Sequence, residues 1–261
     1  MKAKTPVAAA NSGAGLPADN PVFIAQLTAS LLANSVSAEL SLTEDGALAL
    51  LQRPELTASA LEELARSANL LKSRKVKVAL VVHPRTPRHI SRPLLRQLYT
   101  FDLMQIALTP AVAGDLKRAA DDALCNRVTT MSSGERLSLA RRGSGRVASA
   151  LLHDKEARVM RTAFENARLT EAHIIQAITR AGSNTAFIEM VCHHPQWSLR
   201  REVRIALLRH EKTPMGRALD FARSLPPSQL REILQNSRLP ENIKAYLVRH
   251  ISQRRRGASA G

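Results

Sequence analysis

The chain repeats part of itself. The segment ALVVHPRTP at 79–87 returns as ALLRHEKTP at 206–214, a constant shift of 127 in the numbering. Extended without gaps, 79–120 and 206–247 share ten identities in 42 positions, where unrelated stretches of this composition would share roughly three. Leu98 falls on Leu225, Leu103 on Leu230, Ile106 on Ile233 and Lys117 on Lys244. A second echo sets ENARLTEAHII at 165–175 beside QNSRLPENIKA at 235–245. The interval divides into three units of about 42 residues, a length that holds two or three short helices. A unit of that size cannot bury its apolar face alone. It must stack on its neighbours, so the sequence points to a quasi-one-dimensional pile of units.

The spacing of apolar residues is helical throughout. Ile90, Leu94, Leu95 and Leu98 share one face, as do Ile174, Ile175 and Ile178, and Val203, Leu207 and Leu208. Sustained strand-like alternation is absent. Helix starts carry one recurring mark. Thr86-Pro87 and Thr213-Pro214 each offer a capping hydroxyl followed by proline at the first helical position. Thr109-Pro110 and Leu239-Pro240 vary that device. Ser132-Ser133-Gly134-Glu135 reads as a capping box, and Thr170 and Ser198 mark further starts. These signals predict sixteen helices, the first over 21–33 and the last over 240–252. Many are shorter than the roughly 12–15 residues an isolated helix needs, so they depend on stacking. The expected fold class is all-α, an α-solenoid of short stacked repeats with a right-handed superhelix.

Aromatic residues make up 3% of the chain, so Leu, Ala, Ile and Val must fill the core. The net charge of +16 is uneven. Residues 1–20 carry +1, residues 21–70 carry −4 and residues 71–261 carry +19. The expected organisation is a disordered tail at 1–20, one solenoid domain over 21–252 whose acidic part at 21–70 caps the stack, and a basic disordered tail at 253–261. So basic a body attracts polyanions: nucleic acid, an acidic protein face or an anionic membrane surface. No run approaches the roughly 18 apolar residues of a membrane span. Cys125 and Cys192 lie far apart and make no disulfide framework, which fits a reducing cytoplasm.

The pattern HPRTPRHISRPLLRQL at 83–98, its echo HEKTPMGRALDFARSL at 210–225 and HPQWSLRREVRIALL at 194–208 resemble bacterial HEAT-like repeats. They are similar in particular to the leucine-rich repeat variant family, in which a Pro-bearing turn precedes a Leu-rich helix. The resemblance covers about 50–250. It implies a curved helical superhelix and a binding role, and it carries no catalytic residues across. The Cys-rich iron–sulfur module that accompanies such repeats in some relatives has no counterpart here.

Candidate chemistry is sparse. Cys192-His193-His194 lacks a second Cys/His pair nearby in sequence, so no metal site is expected. Cys125 sits among Leu116, Ala120 and Leu124, the setting of a buried inert thiol. His83 and His210 occupy equivalent repeat positions and read as scaffold. The segment Arg141-Arg142-Gly143-Ser144-Gly145-Arg146 is either a seat for phosphate or carboxylate or a tight turn with solvated arginines. It lacks P-loop spacing. Arg88, Arg92 and Arg96 are four apart and form a ridge on one helix. Arg200, Arg201 and Arg204 form another. These nine arginines are the candidate anion- and partner-binding residues. No catalytic residue, cofactor or metal is expected. The function they suggest is a non-enzymatic scaffold whose basic surface binds an acidic protein or peptide. The alternative is duplex DNA or structured RNA held through its phosphates. Few aromatics argue against binding single strands by base stacking.

Overall fold

A computed structural model describes residues 42–258. The expected tail at 1–20 and helix at 21–33 lie outside the described residues. Every regular element in the described part is helical: fifteen α-helices and three short 3₁₀ turns, with no strand. The described residues divide into two compact units, one ending at Leu98 and the other beginning at Tyr99.

The first unit holds α1 (Glu44–Leu51), α2 (Ala58–Arg66), α3 (Arg74–Val82) and α4 (Arg88–Arg96). Thr43, Thr57 and Ser73 start the first three by accepting a backbone N–H from Gly46, Ala60 and Val76. Helix α3 packs on α1, its next-but-one neighbour, and on α4. Leu50, Leu61, Val76 and Leu80 are buried in the core this makes.

The second unit holds α5 (Thr100–Leu108), α6 (Gly114–Arg127), α7 (Ser133–Arg142), α8 (Gly145–Leu151), α9 (Ala157–Phe164), α10 (Glu171–Thr179), α11 (Thr185–His193), α12 (Arg201–Arg209), α13 (Met215–Arg223), α14 (Pro227–Gln235) and α15 (Glu241–Ala258). The capping box at Ser132 and Glu135 forms as the sequence predicts. Packing follows a next-but-one rule: α6 on α8, α8 on α10, α10 on α12 and α12 on α14. A second row runs α7 on α9, and α13 on α15. Leu116, Leu124, Leu139, Ile174, Ile178, Val203 and Leu207 are fully or almost fully buried between the rows. Each such side chain contributes about 1.5–3 kcal/mol of transfer free energy. Helix α15 continues to Ala258, past the expected end at 252.

The self-match holds element by element. Helices α2, α3, α4 and α5 have the same bounds, shifted by 127, as α11, α12, α13 and α14. Helices α1 and α10, and α6 and α15, begin at the same shift, and the 3₁₀ turn Leu70–Lys72 matches Trp197–Leu199. Six consecutive helices therefore occur twice.

The Thr-Pro signal works differently from the expectation. The N-caps are Pro87 and Pro214. The buried hydroxyls of Thr86 and Thr213 instead donate backwards, to the carbonyls of Leu80 and Leu207, each at 2.6 Å. They tie off the preceding helix. Thr109 likewise closes α5, donating to the Gln105 carbonyl, and α6 starts later, at Gly114. Ser198 lies in a 3₁₀ turn, and α12 begins at Arg201.

Turns are latched to the turn before. The Nδ1 of His83 accepts the Arg85 N–H at 3.2 Å. That places the ring proton on Nε2, which donates to the Arg53 carbonyl at 3.0 Å. Asn166 does the same two jobs, accepting from the Arg168 N–H and donating to the Ala140 carbonyl, both at 2.8 Å. Ser237 accepts from the Leu239 N–H and donates to the Leu208 carbonyl at 2.7 Å. Basic side chains reinforce these joints. Arg85 reaches the Glu55 carbonyl at 2.9 Å, and Lys212 reaches that of Ser183 at 2.8 Å.

Candidate anion-binding surface

In the first unit, Arg88, Arg92 and Arg96 share one face of α4, with Arg92 and Arg96 exposed and Arg88 half-buried. In the second unit the six other arginines divide by use. Arg146 pairs with Asp122. Arg201 bonds Glu202 and, at 3.1 Å, the Gln229 side chain. Arg204 is half-buried, donates from Nε to the Ser198 carbonyl at 2.7 Å and lies 5.9 Å from the Phe221 ring centre. Arg141, Arg142 and Arg200 are exposed.

The Gly-Ser-Gly turn is filled from within. Ser144 caps α8 and its hydroxyl donates to Asp121 at 2.7 Å. Asp121 is buried, and burial raises its pKa above the usual carboxylate value even though Ser144 and Arg146 pull it down. Gly145 is required by close approach. A Cβ there would collide with the Arg168 carbonyl oxygen and with Cε1 of His173. The two glycines let α8 dock tightly, and a carboxylate of the protein already occupies its start.

A different set of arginines lines an open groove of about 220 Å³ in the second unit. Arg180, Arg209 and Arg238 recur at equal intervals along the chain. Each sits at or just past the C-terminal end of one of three helices that pack in series, α10, α12 and α14. His210, Glu211 and Asn236 line the same groove. All three arginines are exposed. Among the described residues their guanidinium groups make no hydrogen bond or ion pair. A helix C-terminus presents about half a negative charge, which a full positive charge outweighs. The arginines therefore reverse the sign of the field at these ends, against the single carboxylate of Glu211.

His210 adds a donor. Its Nδ1 accepts the Lys212 N–H at 3.1 Å, so its proton lies on Nε2. In the first copy the matching N–H of His83 is spent on the Arg53 carbonyl. Among the described residues His210 has no such bond to the equivalent carbonyl of Arg180. Burial lowers the His210 pKa, with Lys212 and Arg238 acting in the same direction.

The remaining candidates for chemistry have structural partners. Cys125 and Cys192 are free thiols whose pKa values burial raises, that of Cys192 to about 12. His193 Nδ1 is hydrogen-bonded with the Glu189 carbonyl at 2.8 Å, and His194 Nδ1 accepts the Gln196 N–H. Among the described residues no group of three His, Cys, Asp or Glu side chains is placed to hold a metal ion. No helix among them is long and apolar enough to cross a membrane. No family model, curated protein or solved structure matches this chain.

Sequence reasoning missed the three groove arginines because it sought charge ridges along single helices. Their signal runs across helices, as one arginine at the end of each of three helices that pack in series, always at the same spacing.

Proposed function

We propose that this chain is a non-enzymatic helical-repeat scaffold that binds an acidic protein or peptide in the cytoplasm. The architecture we infer is an α-solenoid with a right-handed superhelix. Next-but-one packing and the twice-occurring set of six helices support it, as does the latching of four turns to an earlier one. The observation that carries the binding role is the groove lined by Arg180, Arg209 and Arg238. Three guanidinium groups with unspent donors, supplied by three successive packed helices, suit carboxylates or phosphates. Free cysteines suit a reducing compartment. Within the second unit Arg141, Arg142 and Arg200 are further exposed positive charges, and within the first unit Arg88, Arg92 and Arg96 form a separate basic face.

The test is direct binding of polyglutamate and of a random duplex DNA to the full chain, followed by fluorescence anisotropy against salt. Polyglutamate is expected to bind, and the triple variant Arg180→Gln, Arg209→Gln, Arg238→Gln is expected to weaken it about tenfold, a loss of roughly 1.4 kcal/mol. DNA binding with a steep salt slope, together with no binding of polyglutamate, would overturn the reading in favour of nucleic acid. Charge reversal at Arg88, Arg92 and Arg96 measures separately what the ridge on α4 adds.

A further inference from the structure

The repeat gives one groove of the first unit a filled counterpart in the second. This groove measures about 330 Å³ and is lined by α2 and α4. Ala65, Ile90, Pro93 and Leu94 make its apolar walls, with Glu62 and His89 beside them. A shift of 127 carries Ala65 to Cys192, Ile90 to Arg217, Pro93 to Asp220 and Leu94 to Phe221, while Glu62 meets Glu189. In the second copy Arg217 bridges the two matching helices. Its Nε donates to the Cys192 carbonyl at 2.9 Å, and a second nitrogen donates to the same oxygen. A third reaches Asp220 at 3.2 Å, and the guanidinium lies 4.9 Å from the Phe221 ring centre. Both carbonyls sit in the last turn of a helix, beyond the reach of its own N–H groups. Cys192 is served by Arg217. Ala65 accepts no hydrogen bond from the described residues, because Ile90 stands in the arginine's place with no donor. Glu62 has only the exposed His89 ring near its carboxylate among the described residues, at 3.6 Å. Arg66, also on the groove, is paired with Glu63 at 3.0 Å.

We propose that this groove takes an arginine side chain of a partner protein, held as Arg217 is held in the second copy. The guanidinium donates to the Ala65 carbonyl and to the Glu62 carboxylate. Its methylene stem lies on Ile90, Pro93 and Leu94. A planar fork of donors serves both acceptors at once, which the single ammonium of lysine does less well. The C-terminal end of α2 adds its half negative charge. The arginine ridge of α4 does not oppose this. Arg88, Arg92 and Arg96 each lie two positions from Ile90 or Leu94, nearly opposite on a helix of 3.6 residues per turn. The proposal does not rest on the acidic-partner reading, which uses other residues in the other unit.

The experiment is methyl NMR of the full chain, titrated with N-acetylarginine methylamide. The Ile90 and Leu94 methyl signals are expected to move and saturate. The citrulline analogue keeps the shape and loses the charge, and should bind about tenfold more weakly. Glu62→Gln should weaken the arginine probe by a similar factor. Ile90→Arg restores the arginine of the second copy, fills the groove from within and should abolish the response. Glu62 and Ile90 are both only half-buried, so Glu62→Gln remains a reading of the site even where Ile90→Arg fails to fold. Equal binding of arginine and citrulline, or tighter binding of the leucine analogue, would overturn the proposal. So would an unchanged response in Glu62→Gln, or no movement of these two signals. Movement of the same signals on concentrating the protein with no probe present would assign the groove to a second copy of this chain instead. None of these outcomes touches the polyglutamate test of the second unit.

Discussion

The Ser144 hydroxyl donates to the Asp121 carboxylate at 2.7 Å, joining the start of α8 to the buried side of α6. Burial raises the Asp121 pKa. The folded state therefore holds a proton that the unfolded chain has already released. Its stabilising contribution is full below about pH 3.8, the unfolded value, and is lost as pH rises through the folded value. Replacing Asp121 with Asn keeps an acceptor for Ser144 and removes the buried charge. Asp121→Asn should raise the melting temperature at pH 7, with the gain vanishing as pH approaches 3.8. A gain independent of pH would contradict this account.

Arg136 is buried between two acids. Its Nε lies 2.9 Å from Asp154, another nitrogen pairs with Glu156, and a third donates to the Met131 carbonyl. Asp154 is also buried. Arg136→Ala leaves that carboxylate uncompensated and should cost about 3–5 kcal/mol in urea denaturation. Arg136→Met combined with Asp154→Leu should recover most of the loss, because it removes both charges together.

Glycines separate into two kinds. Gly145→Ala drives a methyl into the Arg168 backbone and should cost about 1–3 kcal/mol or more. Gly114 and Gly216 lie in the first turns of α6 and α13 with nothing within 4 Å of a new Cβ. Alanine at either should stabilise by about 0.4–1 kcal/mol. Thermal melts of the three variants distinguish these outcomes.

The two copies of the threonine bond are not equal. Pro84, four positions after Leu80, has no N–H to give that carbonyl, so Thr86 supplies the bond. The Leu207 carbonyl also accepts the His210 N–H at 2.9 Å. Thr86→Val therefore orphans a buried acceptor and should cost about 1–3 kcal/mol, whereas Thr213→Val should cost about 0.5–1.5 kcal/mol. Chemical denaturation of both variants checks the order.

Burial lowers the pKa of His153, His173, His194 and His210. The unfolded chain protonates these rings first. Their contribution is present above about pH 6.5 and is lost as pH falls from there through the folded values. The melting temperature should drop between pH 7 and pH 5. A flat profile there would show that the rings are not held neutral.

The helical fold was legible because its repeat is written in Leu, Ile, His and Thr at fixed intervals, and the structure keeps the bounds of four helices at the same shift. The role of Thr86 was not legible. A threonine before a proline looks the same whether its hydroxyl caps forwards or ties backwards, and only the position of Leu80 decides. Arginines were harder still. Sequence shows a charge but not its neighbour, so Arg146 and Arg204 looked as available as Arg141, although Asp122 and the Ser198 carbonyl hold them. The groove arginines escaped notice because a contact made across three helices leaves no cluster in the chain.

Six of the side-chain latches between turns point one way. His83, Arg85, Asn166, Arg168, Lys212 and Ser237 each donate to a carbonyl that comes one turn of the stack earlier in the chain. A ribosome makes these six acceptors before their donors, so these joints can close as soon as the later turn emerges. The Ser149 hydroxyl and the buried Arg136 wait instead for the His173 carbonyl and for Asp154 and Glu156.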